Sequence, residues 1–397
     1  MAQKTFGMKI LHCVESYFPA MGGMQEVVKQ LSERLASMGH DVTVATRKNS
    51  GRTNNKLNRV NIIDFEISGN LVNGIKGEKE KYEALLLNNN FDVIVFFAAQ
   101  QWATDLALPI LTKIKAKKVS VPTGYSGLYW TDYKNYFEQM KQWIHSYDMN
   151  VYLSDNYRDI NFARECKVKK TILIPNGAGA DEFLPDSKIN VRAELNIPSD
   201  HFLILHVGSY TTWKGHHAAM EIFYKSNLKR ATLLMIGNDC ENFRIGKRKH
   251  RYLYIHNFLN KLLGRKKVIF KNMARDFTVA AYKQADLFLF PSNIECSPIV
   301  LFECAAAKLP FLSTDVGNSA EIAKWTKGGM ILPTLKDKQM FSYVKINEAV
   351  KILNEIHVNV AKRKQMSEES FTIWKEKFSW EVIAKQYEKL YLNLLKS

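Results

Sequence analysis

Met8-Lys-Ile-Leu-His-Cys-Val-Glu15 leads through Ser16-Tyr-Phe-Pro-Ala-Met-Gly-Gly23 into a stretch with helical spacing, which is followed by Asp41-Val-Thr-Val-Ala-Thr46. The first and last of these segments are short apolar runs typical of buried strands. Between them, apolar residues recur every three or four positions until Gly39 ends the pattern, which predicts a helix. A strand, a glycine turn, a helix and a second strand in this order indicate an α/β domain with a parallel sheet.

The same alternation continues along both halves of the chain. Further apolar runs predict strands at residues 60–65, 91–97, 118–121, 149–153 and 171–174, and then at 202–207, 231–236, 268–270, 287–290, 310–313 and 329–332. The segment Pro175-Asn-Gly-Ala-Gly-Ala-Asp-Glu-Phe-Leu-Pro-Asp186 is rich in turn formers and separates the two series. We therefore predict two doubly wound domains, residues 1–180 and 181–377, followed by a terminal helix.

The composition is that of a folded globular protein. A chain of 397 residues with 46% hydrophobic content is large enough for two cores. The chain contains no run of about 18 apolar residues, which is the length needed to span a bilayer. The apolar run at residues 8–14 is too short for a secretory signal. The five cysteines are scattered without metal-ligand spacing, so the sequence favours reduced thiols, a cytoplasmic location and no metal site.

The net charge of +17 indicates an anionic partner. Nucleic acid is disfavoured, because no motif for it is visible and lysine carries most of the excess, whereas an anionic membrane and phosphorylated substrates both stay open. Residues 246–267 contain eight Lys or Arg and no acidic residue around a leucine-rich, aromatic centre. This segment suits a helix on anionic lipid at the inner face of the membrane, and equally a surface helix that packs Leu253, Phe258 and Leu262 onto the domain.

The sequence Glu295-Cys-Ser-Pro-Ile-Val-Leu-Phe-Glu303 places two carboxylates eight positions apart across a predicted helix start. Ser297 is a good N-cap residue, and Pro298 suits the first helical position, where an N–H has no partner in any case. The first carboxylate therefore falls in the loop before the helix and the second falls inside it.

A helix start between two carboxylates suits a nucleotide sugar. The amides of Ile299 and Val300 would be unpaired donors at the positive end of the helix dipole, where a phosphate can bind. Glu303 lies roughly 6 Å further along the axis, at a distance suited to ribose hydroxyls, and Glu295 could contact the sugar. Taken alone, the pair is better explained as two incidental glutamates of a capped amphipathic helix.

Two glycine turns add to this pattern. Leu205-His-Val-Gly-Ser-Tyr-Thr-Thr-Trp-Lys-Gly215 reads as a strand, a glycine turn and a lysine before a helix, so Lys214 could supply a positive charge to a phosphate. Gly22 and Gly23 follow the first strand at its carboxyl end, where open α/β sheets bind ligands. Each turn is weak evidence alone, but the elements occur in the order expected for one site.

These elements together resemble a known family, the retaining glycosyltransferases of family 4 (glycosyl transferases group 1). The resemblance covers nearly the whole chain and rests on the segments 19–25 with its Gly-Gly pair, Ile174-Pro-Asn-Gly177, Gly208 with Lys214-Gly215, the Glu295 and Glu303 pair, and Asp315-Val-Gly-Asn-Ser-Ala-Glu321. It implies the GT-B fold, in which two Rossmann-like domains face a cleft. It also implies that the last helix, residues 378–397, crosses back to the N-terminal domain.

The resemblance also implies different binding roles for the two domains. The C-terminal domain would bind the nucleotide sugar and the N-terminal domain the acceptor, and Glu295 and Lys214 would be catalytic. The implied donor-binding residues are Glu303 for ribose, Lys214, Ile299 and Val300 for the diphosphate, and also Ser209, Met273, Gly22 and Gly23, of which the two glycines approach the phosphate from across the cleft. No metal and no cofactor beyond the nucleotide-sugar co-substrate is implied, since the leaving phosphate takes the proton from the acceptor.

The chain departs from the family pattern at two places. Many relatives have arginine where this chain has Ser209, so one phosphate-binding charge is missing, and Lys271 or Arg275 could replace it. Relatives also carry histidines after the middle N-terminal strands, where this chain has Phe97-Ala-Ala-Gln-Gln-Trp102 and Val121-Pro-Thr-Gly-Tyr-Ser126. We hypothesise that amide and aromatic side chains bind the acceptor instead, namely Gln25, Gln100, Trp102, Tyr125, Tyr129 and Trp130, although packing is the commoner role of aromatic residues.

We therefore predict a retaining, metal-independent glycosyltransferase. It would move a hexose or related sugar from UDP or GDP to a saccharide or lipid-linked acceptor in the synthesis of surface polysaccharide, such as lipopolysaccharide, or glycolipid. A non-catalytic GT-B subunit that supports an active partner is the main alternative, favoured by Ser209 and the missing histidines but opposed by both glutamates and Lys214. A hydrolysing epimerase is a further alternative, but no acid and base residues for it stand out.

Overall fold

The computed structural model describes residues 7–88, 90–238, 255, 258–259 and 266–397. The chain forms two compact units. Unit 1 comprises Met1–Asn176 and Trp380–Ser397, and unit 2 comprises Gly177–Ser379. The sequence predicts the boundary between residues 180 and 181 and assigns residues 378–397 to the first domain.

Unit 1 contains an eight-stranded sheet and a separate hairpin. Their strands are β1 (Lys9–Cys13), β2 (Asp41–Arg47), β3 (Lys56–Leu57), β4 (Val60–Phe65), β5 (Ile67–Asn70), β6 (Gly74–Gly77), β7 (Val93–Phe97), β8 (Lys117–Val121), β9 (Met149–Tyr152) and β10 (Thr171–Leu173). The sheet order is β10-β9-β8-β7-β1-β2-β4-β3, and β5 pairs with β6. All neighbours in the sheet are parallel except β3 and β4.

Helices cover both faces of this sheet in the manner of βαβ units. They are α1 (Gly23–Ser37), α2 (Lys79–Asn88), α3 (Trp102–Asp105), α4 (Lys134–Trp143) and α5 (Arg158–Glu165). Short 3₁₀ turns lie at Leu108–Lys113, Thr131–Tyr133 and Ile144–Ser146. Helix α1 has Glu26 in its first turn and Arg34 in its last, as the helix dipole favours, and ends just before Gly39, whose φ is +97°.

Unit 2 contains a six-stranded sheet whose neighbouring strands are all parallel. Its strands and those of a small hairpin are β11 (Phe202–Val207), β12 (Ala231–Ile236), β13 (Lys266–Lys271), β14 (Leu287–Phe290), β15 (Phe311–Thr314), β16 (Gly329–Leu332), β17 (Thr334–Lys336) and β18 (Ser342–Val344). The sheet order is β13-β12-β11-β14-β15-β16, and β17 pairs antiparallel with β18.

The described helices of unit 2 pack against its sheet and against one another. They are α6 (Ala180–Phe183), α7 (Val191–Glu194), α8 (His216–Lys225), α9 (Arg275–Gln284), α10 (Ile299–Ala306), α11 (Ser319–Thr326), α12 (Ile346–Val358) and α13 (Val360–Ile373). A 3₁₀ turn at Thr212–Lys214 precedes α8, and a π-helical turn at Trp374–Phe378 continues α13.

The last helix, α14 (Trp380–Lys396), belongs to unit 1 and packs against α1. Arg34 Nη2 lies 2.7 Å from Glu381 Oε1, and His40 Nε2 lies 3.0 Å from Glu388 Oε1. One face of α14 is buried through residues at helical spacing, namely Ile383, Ala384, Tyr387, Leu390, Tyr391 and Leu394. The C-terminal residues therefore complete the unit that the N-terminal residues begin.

The strand order reverses beside one strand in each sheet. In unit 1, β1 lies between β2 and β7, and in unit 2, β11 lies between β12 and β14. The carboxyl ends of strands at such a reversal are where open α/β sheets bind ligands. The predicted α/β class with doubly wound parallel sheets is confirmed. Across the described ranges, no helix combines the length and apolar character needed to cross a membrane.

Candidate functional site

Two loops meet at the carboxyl ends of β11 and β14, the neighbouring strands at the reversal in unit 2. The loop after β11 carries Lys214, and the loop after β14 carries Ser292 and Glu295. Lys214 Nζ lies 2.6 Å from Glu295 Oε1, and the Ser292 hydroxyl donates to the same oxygen at 2.8 Å. Both contacts use Oε1, so the second carboxylate oxygen of Glu295 is available to accept a hydrogen bond from a ligand.

Two glycines hold these loops in place. Gly215 has a φ of +72°, and a Cβ there would lie 1.9 Å from the carbonyl oxygen of Pro291. Gly317 has a φ of +55°, and a Cβ there would lie 2.3 Å from the carbonyl oxygen of Cys296. The Asn318 amide also donates to that Cys296 oxygen at 2.9 Å. Glycine is required at both positions, because each combines a left-handed backbone with close contact to the loop after β14.

Helix α10 begins at Ile299 with Pro298 as its N-cap residue, at φ −68° and ψ 109°. The prediction that Ser297 caps the helix is wrong, because the extended ψ of Pro298 moves the serine out of the first turn. Ile299 and Val300 nevertheless occupy the first two helical positions, where amides have no acceptor within the helix. Both residues are partly exposed, so the helix start can still receive an anion.

Glu303 lies one turn further along α10 and is only 2% exposed. Its Oε1 lies 2.6 Å from Nη2 of Arg275, the first residue of α9. Arg275 also donates to both carboxylate oxygens of Glu182 at 2.8 Å. Burial raises the pKa of Glu303, and the neighbouring guanidinium partly opposes that increase. Of the two residues offered as substitutes for the missing phosphate-binding charge, Arg275 is thus engaged with carboxylates, whereas Lys271 is exposed.

Two histidines pack beside the Gly208 turn. His216 Nε2 lies 3.3 Å from the Gly208 carbonyl oxygen, His206 Nδ1 lies 2.8 Å from the Leu289 carbonyl oxygen, and the two rings are 4.5 Å apart. Burial lowers the pKa of His206 to about 4 and also lowers the pKa of His216. Both rings are therefore neutral near pH 7 and serve as packing beneath the turn.

The other two predicted donor-site residues of unit 2 lie in loops after β11 and β13, which are separated in the sheet by β12. Ser209 directly follows Gly208 and is partly exposed, so its side chain can contact a ligand but adds no charge. Met273 lies between β13 and α9, where it packs against the hydrophobic core of unit 2 and remains partly exposed.

The Gly22-Gly23 turn opens α1 on the carboxyl side of β1 in unit 1. Both glycines are exposed, and the φ of Gly22 is extended at 167°. A Cβ on Gly23 would meet no atom of the described residues within 4 Å, and one on Gly22 would first meet the side chain of Gln25. The fold of unit 1 does not itself demand glycine at residue 23, so the turn is open to close approach by a ligand. Gln25 Nε2 donates to the Ser16 hydroxyl at 2.5 Å.

Gln100 follows β7, which neighbours β1. Its backbone has a φ of +64°, its amide donates to the Tyr136 hydroxyl at 3.1 Å, and its side-chain oxygen accepts from the Gly127 amide at 3.2 Å. Tyr129 and Trp130 follow β8 and are 50% and 40% exposed. These three predicted acceptor residues therefore lie in loops at the carboxyl edge of the sheet, and the two aromatic side chains are accessible.

Tyr125 and Trp102 are core residues. Tyr125 is 2% exposed, and its ring lies 5.2 Å from that of Phe137 in α4 and 5.5 Å from that of Phe162 in α5. Trp102 is fully buried, with its ring 5.1 Å from that of Tyr82 in α2. The hypothesis that these two side chains line an acceptor pocket is wrong, because the helix layer encloses both rings.

Sequence reasoning missed two buried carboxyl groups that support the loops of unit 1. The Tyr136 hydroxyl donates to Asp105 Oδ1 at 2.8 Å, and the Gly124 amide donates to Asp159 Oδ2 at 2.8 Å. Burial raises the pKa of each carboxyl to about 6. Ser292 was missed as well, although a hydroxyl three residues before Glu295 at the end of a buried strand was a visible clue. Among the residues with described positions, no cluster of His, Cys, Asp and Glu could hold a metal ion.

Two family profiles match the chain. The profile described as Glycosyltransferase Family 4 matches residues 21–182, and the profile described as Glycosyl transferases group 1 matches residues 187–368. The chain belongs to the family 4, group 1 glycosyltransferases. The resemblance seen in the sequence is thereby confirmed, and the protein is a glycosyltransferase.

Curated relatives of this glycosyltransferase share about a quarter of its residues. An uncharacterised glycosyltransferase of Methanocaldococcus jannaschii is 26% identical over 97% of this chain and 98% of its own length. The O-antigen chain mannosyltransferase C of Escherichia coli is 24% identical over 98% of this chain and all of its own length. The lipopolysaccharide glucosyltransferase WaaG of Escherichia coli K12 is 24% identical, covering 84% of this chain and 87% of WaaG.

Several solved structures share this architecture. Sucrose-phosphate synthase of Thermosynechococcus elongatus superposes with a TM-score of 0.75 at 19% identity over 98% of both chains. The structure of WaaG gives a TM-score of 0.69 at 19% identity over 96% of this chain and 99% of WaaG. Anabaena HepE, in complex with UDP and glucose, gives 0.72 at 14% identity over 97% of this chain and all of HepE. The predicted GT-B fold is confirmed.

Proposed function

We propose that this glycosyltransferase is a retaining enzyme that transfers a hexose from a UDP- or GDP-linked sugar. Its acceptor would be a saccharide or lipid-linked saccharide in the synthesis of surface polysaccharide, such as lipopolysaccharide, or glycolipid. The observation that carries the proposal is the ion pair between Lys214 and Glu295 at the strand reversal of unit 2. A cation and a carboxylate held together at this edge supply one group for the leaving phosphate and one for the sugar.

The donor would bind along the start of α10. Lys214 and the amides of Ile299 and Val300 provide positive charge and hydrogen-bond donors for the diphosphate. Glu303, one turn further along the helix, would accept hydrogen bonds from the ribose hydroxyls. Because these groups already neutralise phosphate charge, we propose that transfer needs no metal ion. The structure of the neighbour HepE with UDP-glucose supports a donor of this class.

The reaction would proceed on one face of the donor sugar. The acceptor hydroxyl attacks the anomeric carbon from the side on which the nucleoside diphosphate leaves. As the bond from the anomeric carbon to the phosphate oxygen breaks, that oxygen takes the proton of the hydroxyl, which leaves a glycoside of unchanged anomeric configuration and a nucleoside diphosphate. Lys214 would stabilise the charge that develops on the departing diphosphate, and the free oxygen of Glu295 would orient the sugar.

The acceptor assignment draws on relatives and on unit 1. An O-antigen mannosyltransferase and a lipopolysaccharide glucosyltransferase among the relatives support an acceptor in surface polysaccharide synthesis. Within unit 1, Gln25, Gln100, Tyr129 and Trp130 are the residues we propose to bind it, since exposed aromatic rings stack on sugars. Replacing Trp130 by alanine should raise the acceptor KM with little change in donor affinity, and an unchanged acceptor KM would remove Trp130 from this role.

Contact with an anionic membrane through residues 246–267 remains part of the proposal, and it would keep the enzyme at the inner face of the membrane. Most of this segment lies outside the described residues. Its penultimate residue, Lys266, is buried, and its ammonium donates to the carbonyl oxygens of Phe223 and Ser226 at 2.9 and 2.7 Å, so it is engaged within unit 2. Flotation with phosphatidylglycerol vesicles at low salt tests the rest: binding should fall when Lys247, Arg248 and Lys249 are neutralised, and unchanged binding would refute the contact.

The enzymatic proposal is tested by turnover of nucleotide sugars. Purified protein is incubated with UDP-, GDP- and ADP-sugars and a membrane lipid extract, nucleoside diphosphate release is measured, and NMR of the product reports its anomeric configuration. Glu295→Gln should lower kcat by roughly 100-fold or more while the donor Kd stays within a few fold, since Glu295 would contact the reacting sugar. Glu348→Gln, on an exposed face of α12, is the matched control. A normal kcat for Glu295→Gln, or inversion at the anomeric carbon, would contradict the proposal.

A further inference from the structure

Arg275 occupies an unusual place for a cation. It is the first residue of α9, at the positive end of the helix dipole, where a positive side chain is unfavourable. Two carboxylates compensate for this position. Its Nε and Nη2 each donate to an oxygen of Glu182 at 2.8 Å, and Nη2 also lies 2.6 Å from Glu303 Oε1.

The three charged side chains of this cluster differ in their exposure to solvent. The side chain of Arg275 is 36% exposed, that of Glu182 is 19% exposed, and that of Glu303 is only 3% exposed. A carboxylate as buried as Glu303 is costly to ionise unless a cation lies beside it. Arg275 supplies that cation, and Glu182 fixes the plane of its guanidinium through a two-point contact. Glu303 Oε1 contacts the arginine, and Tyr282 lies beside the same carboxylate. A carboxylate has about four lone-pair sites, so its second oxygen retains capacity to accept from a ligand.

We propose that Arg275 is a positioning residue for donor binding, which keeps the Glu303 carboxylate charged and oriented so that its second oxygen accepts the ribose hydroxyls. Glu182 holds Arg275 in this role. The inference rests on the proposed nucleotide-sugar site, because Glu303 is its ribose-binding residue. The sequence alone offered Arg275 only as a substitute phosphate ligand.

The groups around Glu303 are few. Arg275 and the buried Tyr282 face it from α9, Glu182 faces it from α6, and Cys304 is its buried neighbour on α10. The other elements packed on α10 are α11, α13 and the turn Trp374–Phe378. Their charged side chains, including Glu321, Glu368, Glu369 and Lys375, are exposed or half-buried and are therefore screened by water.

These surroundings set the sign of the pH effect. Burial raises the pKa of Glu303, and Arg275 opposes that increase through its charge and its hydrogen bond. Loss of Arg275 removes the largest influences that oppose burial and leaves only the smaller one of Tyr282, so the carboxyl takes up its proton at a higher pH than in the wild type. Donor affinity in a variant that lacks this charge should therefore fall as the pH is lowered, beginning at a higher pH than in the wild type.

The test uses the full chain and calorimetric titration with UDP-glucose and GDP-mannose, whose diphosphates do not titrate near neutrality. At pH 6.5 we expect Arg275→Gln to bind the nucleotide sugar preferred by the wild type about tenfold more weakly than the wild type does, which is equivalent to roughly one hydrogen bond to a charged group. At pH 8.5 the Kd of the variant should lie within about threefold of the wild-type Kd. Arg275→Lys keeps the charge and should stay within about threefold at both pH values. Arg192→Gln, which removes another arginine–carboxylate pair in unit 2, is the matched control and should bind as the wild type does.

A second comparison separates positioning from a general loss of structure. The nucleoside diphosphate of the preferred donor and its 2′,3′-dideoxy analogue are each titrated against the wild type and against Arg275→Gln at pH 6.5. The loss caused by Arg275→Gln should appear with the ribonucleotide and disappear with the analogue, which has no ribose hydroxyls to offer Glu303. Equal losses for both ligands, or a flat pH profile in Arg275→Gln, would overturn the inference while leaving the donor site intact. Failure of the wild type to bind any nucleotide would overturn the proposed function and this inference with it.

Discussion

Replacing Lys214 by methionine removes a positive charge while keeping most of the side-chain length. In the structure, Nζ lies 2.6 Å from Glu295 Oε1, and the two side chains are 29% and 11% exposed. A unit charge about 4 Å from a phosphate is worth about 4 kcal/mol at an effective dielectric constant of about 20. Because desolvation offsets part of this, the net loss for a hydrogen bond to a charged group is about 1.5–3 kcal/mol. The donor Kd should therefore rise roughly 10- to 150-fold.

Isothermal titration with the preferred nucleotide sugar measures this change. The comparison is made at low and at physiological salt, since a charge that is partly exposed loses strength as ionic strength rises. Lys351→Met, at an exposed position of α12, is the control for loss of a lysine from the basic surface of unit 2. A Kd within twofold of the wild type for Lys214→Met, or an equal loss for Lys351→Met, would refute the assignment of Lys214 as a phosphate ligand.

Three further outcomes are expected. Ser292→Ala should lower kcat about tenfold with the donor Kd within about threefold, because it removes one hydrogen bond that orients Glu295; an unchanged kcat in the turnover assay would exclude this role. Gly215→Ala should lower the free energy of unfolding by about 2–4 kcal/mol in urea titrations, since its Cβ would strike the Pro291 carbonyl, and wild-type stability would contradict the turn geometry. Burial raises the pKa of Asp105 from 3.8 to about 6, so the wild type loses up to about 3 kcal/mol of stability as pH rises through this interval. Asp105→Asn should remove this contribution and leave that of Asp159, so the stability lost between pH 4 and 7 should be smaller by up to about 3 kcal/mol in unfolding measurements. An identical loss in the variant would contradict the assignment.

The sheets were predictable because their strands are continuous apolar runs bounded by turn residues. Residues 60–65, 202–207, 231–236, 287–290 and 329–332 are predicted and observed with the same bounds. The short strand β3 and the hairpins β5–β6 and β17–β18 carry no comparable apolar run, because they lie outside the packed interiors of the sheets. Their pairing depends on neighbouring chain segments and leaves little trace in the local sequence.

The donor cluster was predictable where topology alone brings residues together. Lys214 and Glu295 each follow a strand at the reversal of unit 2, and the carboxyl ends of neighbouring parallel strands meet at one edge. The pairing of Arg275 with Glu303 was not predictable in this way, since it depends on how far two side chains reach between separate helices. The helix that begins at Arg275 is not among the elements predicted from the sequence, so the need of a cation in a first helical turn for compensating carboxylates gave no signal.

For the predicted acceptor residues, the sequence could not distinguish buried aromatic side chains from exposed ones. Trp102, Tyr125, Tyr129 and Trp130 all follow strands of unit 1, yet two are enclosed by helices and two are accessible. Each pair consists of one tyrosine and one tryptophan that follow strands of unit 1, so residue type does not distinguish the pairs, and the packing of the helix layer separates them.

The central claim is that unit 2 binds a nucleotide sugar through Lys214, Glu295 and Glu303. The most direct test is thermal unfolding of the wild type and of the double variant Lys214→Met/Glu303→Ala with UDP-, GDP- and ADP-sugars. One class of donor should raise the wild-type unfolding temperature, with about 2.7 kcal/mol of stabilisation at 100 times its Kd. The double variant, folded by circular dichroism, should show no increase at the same concentration. An absence of any shift for the wild type, or an equal shift for the double variant, would contradict the account.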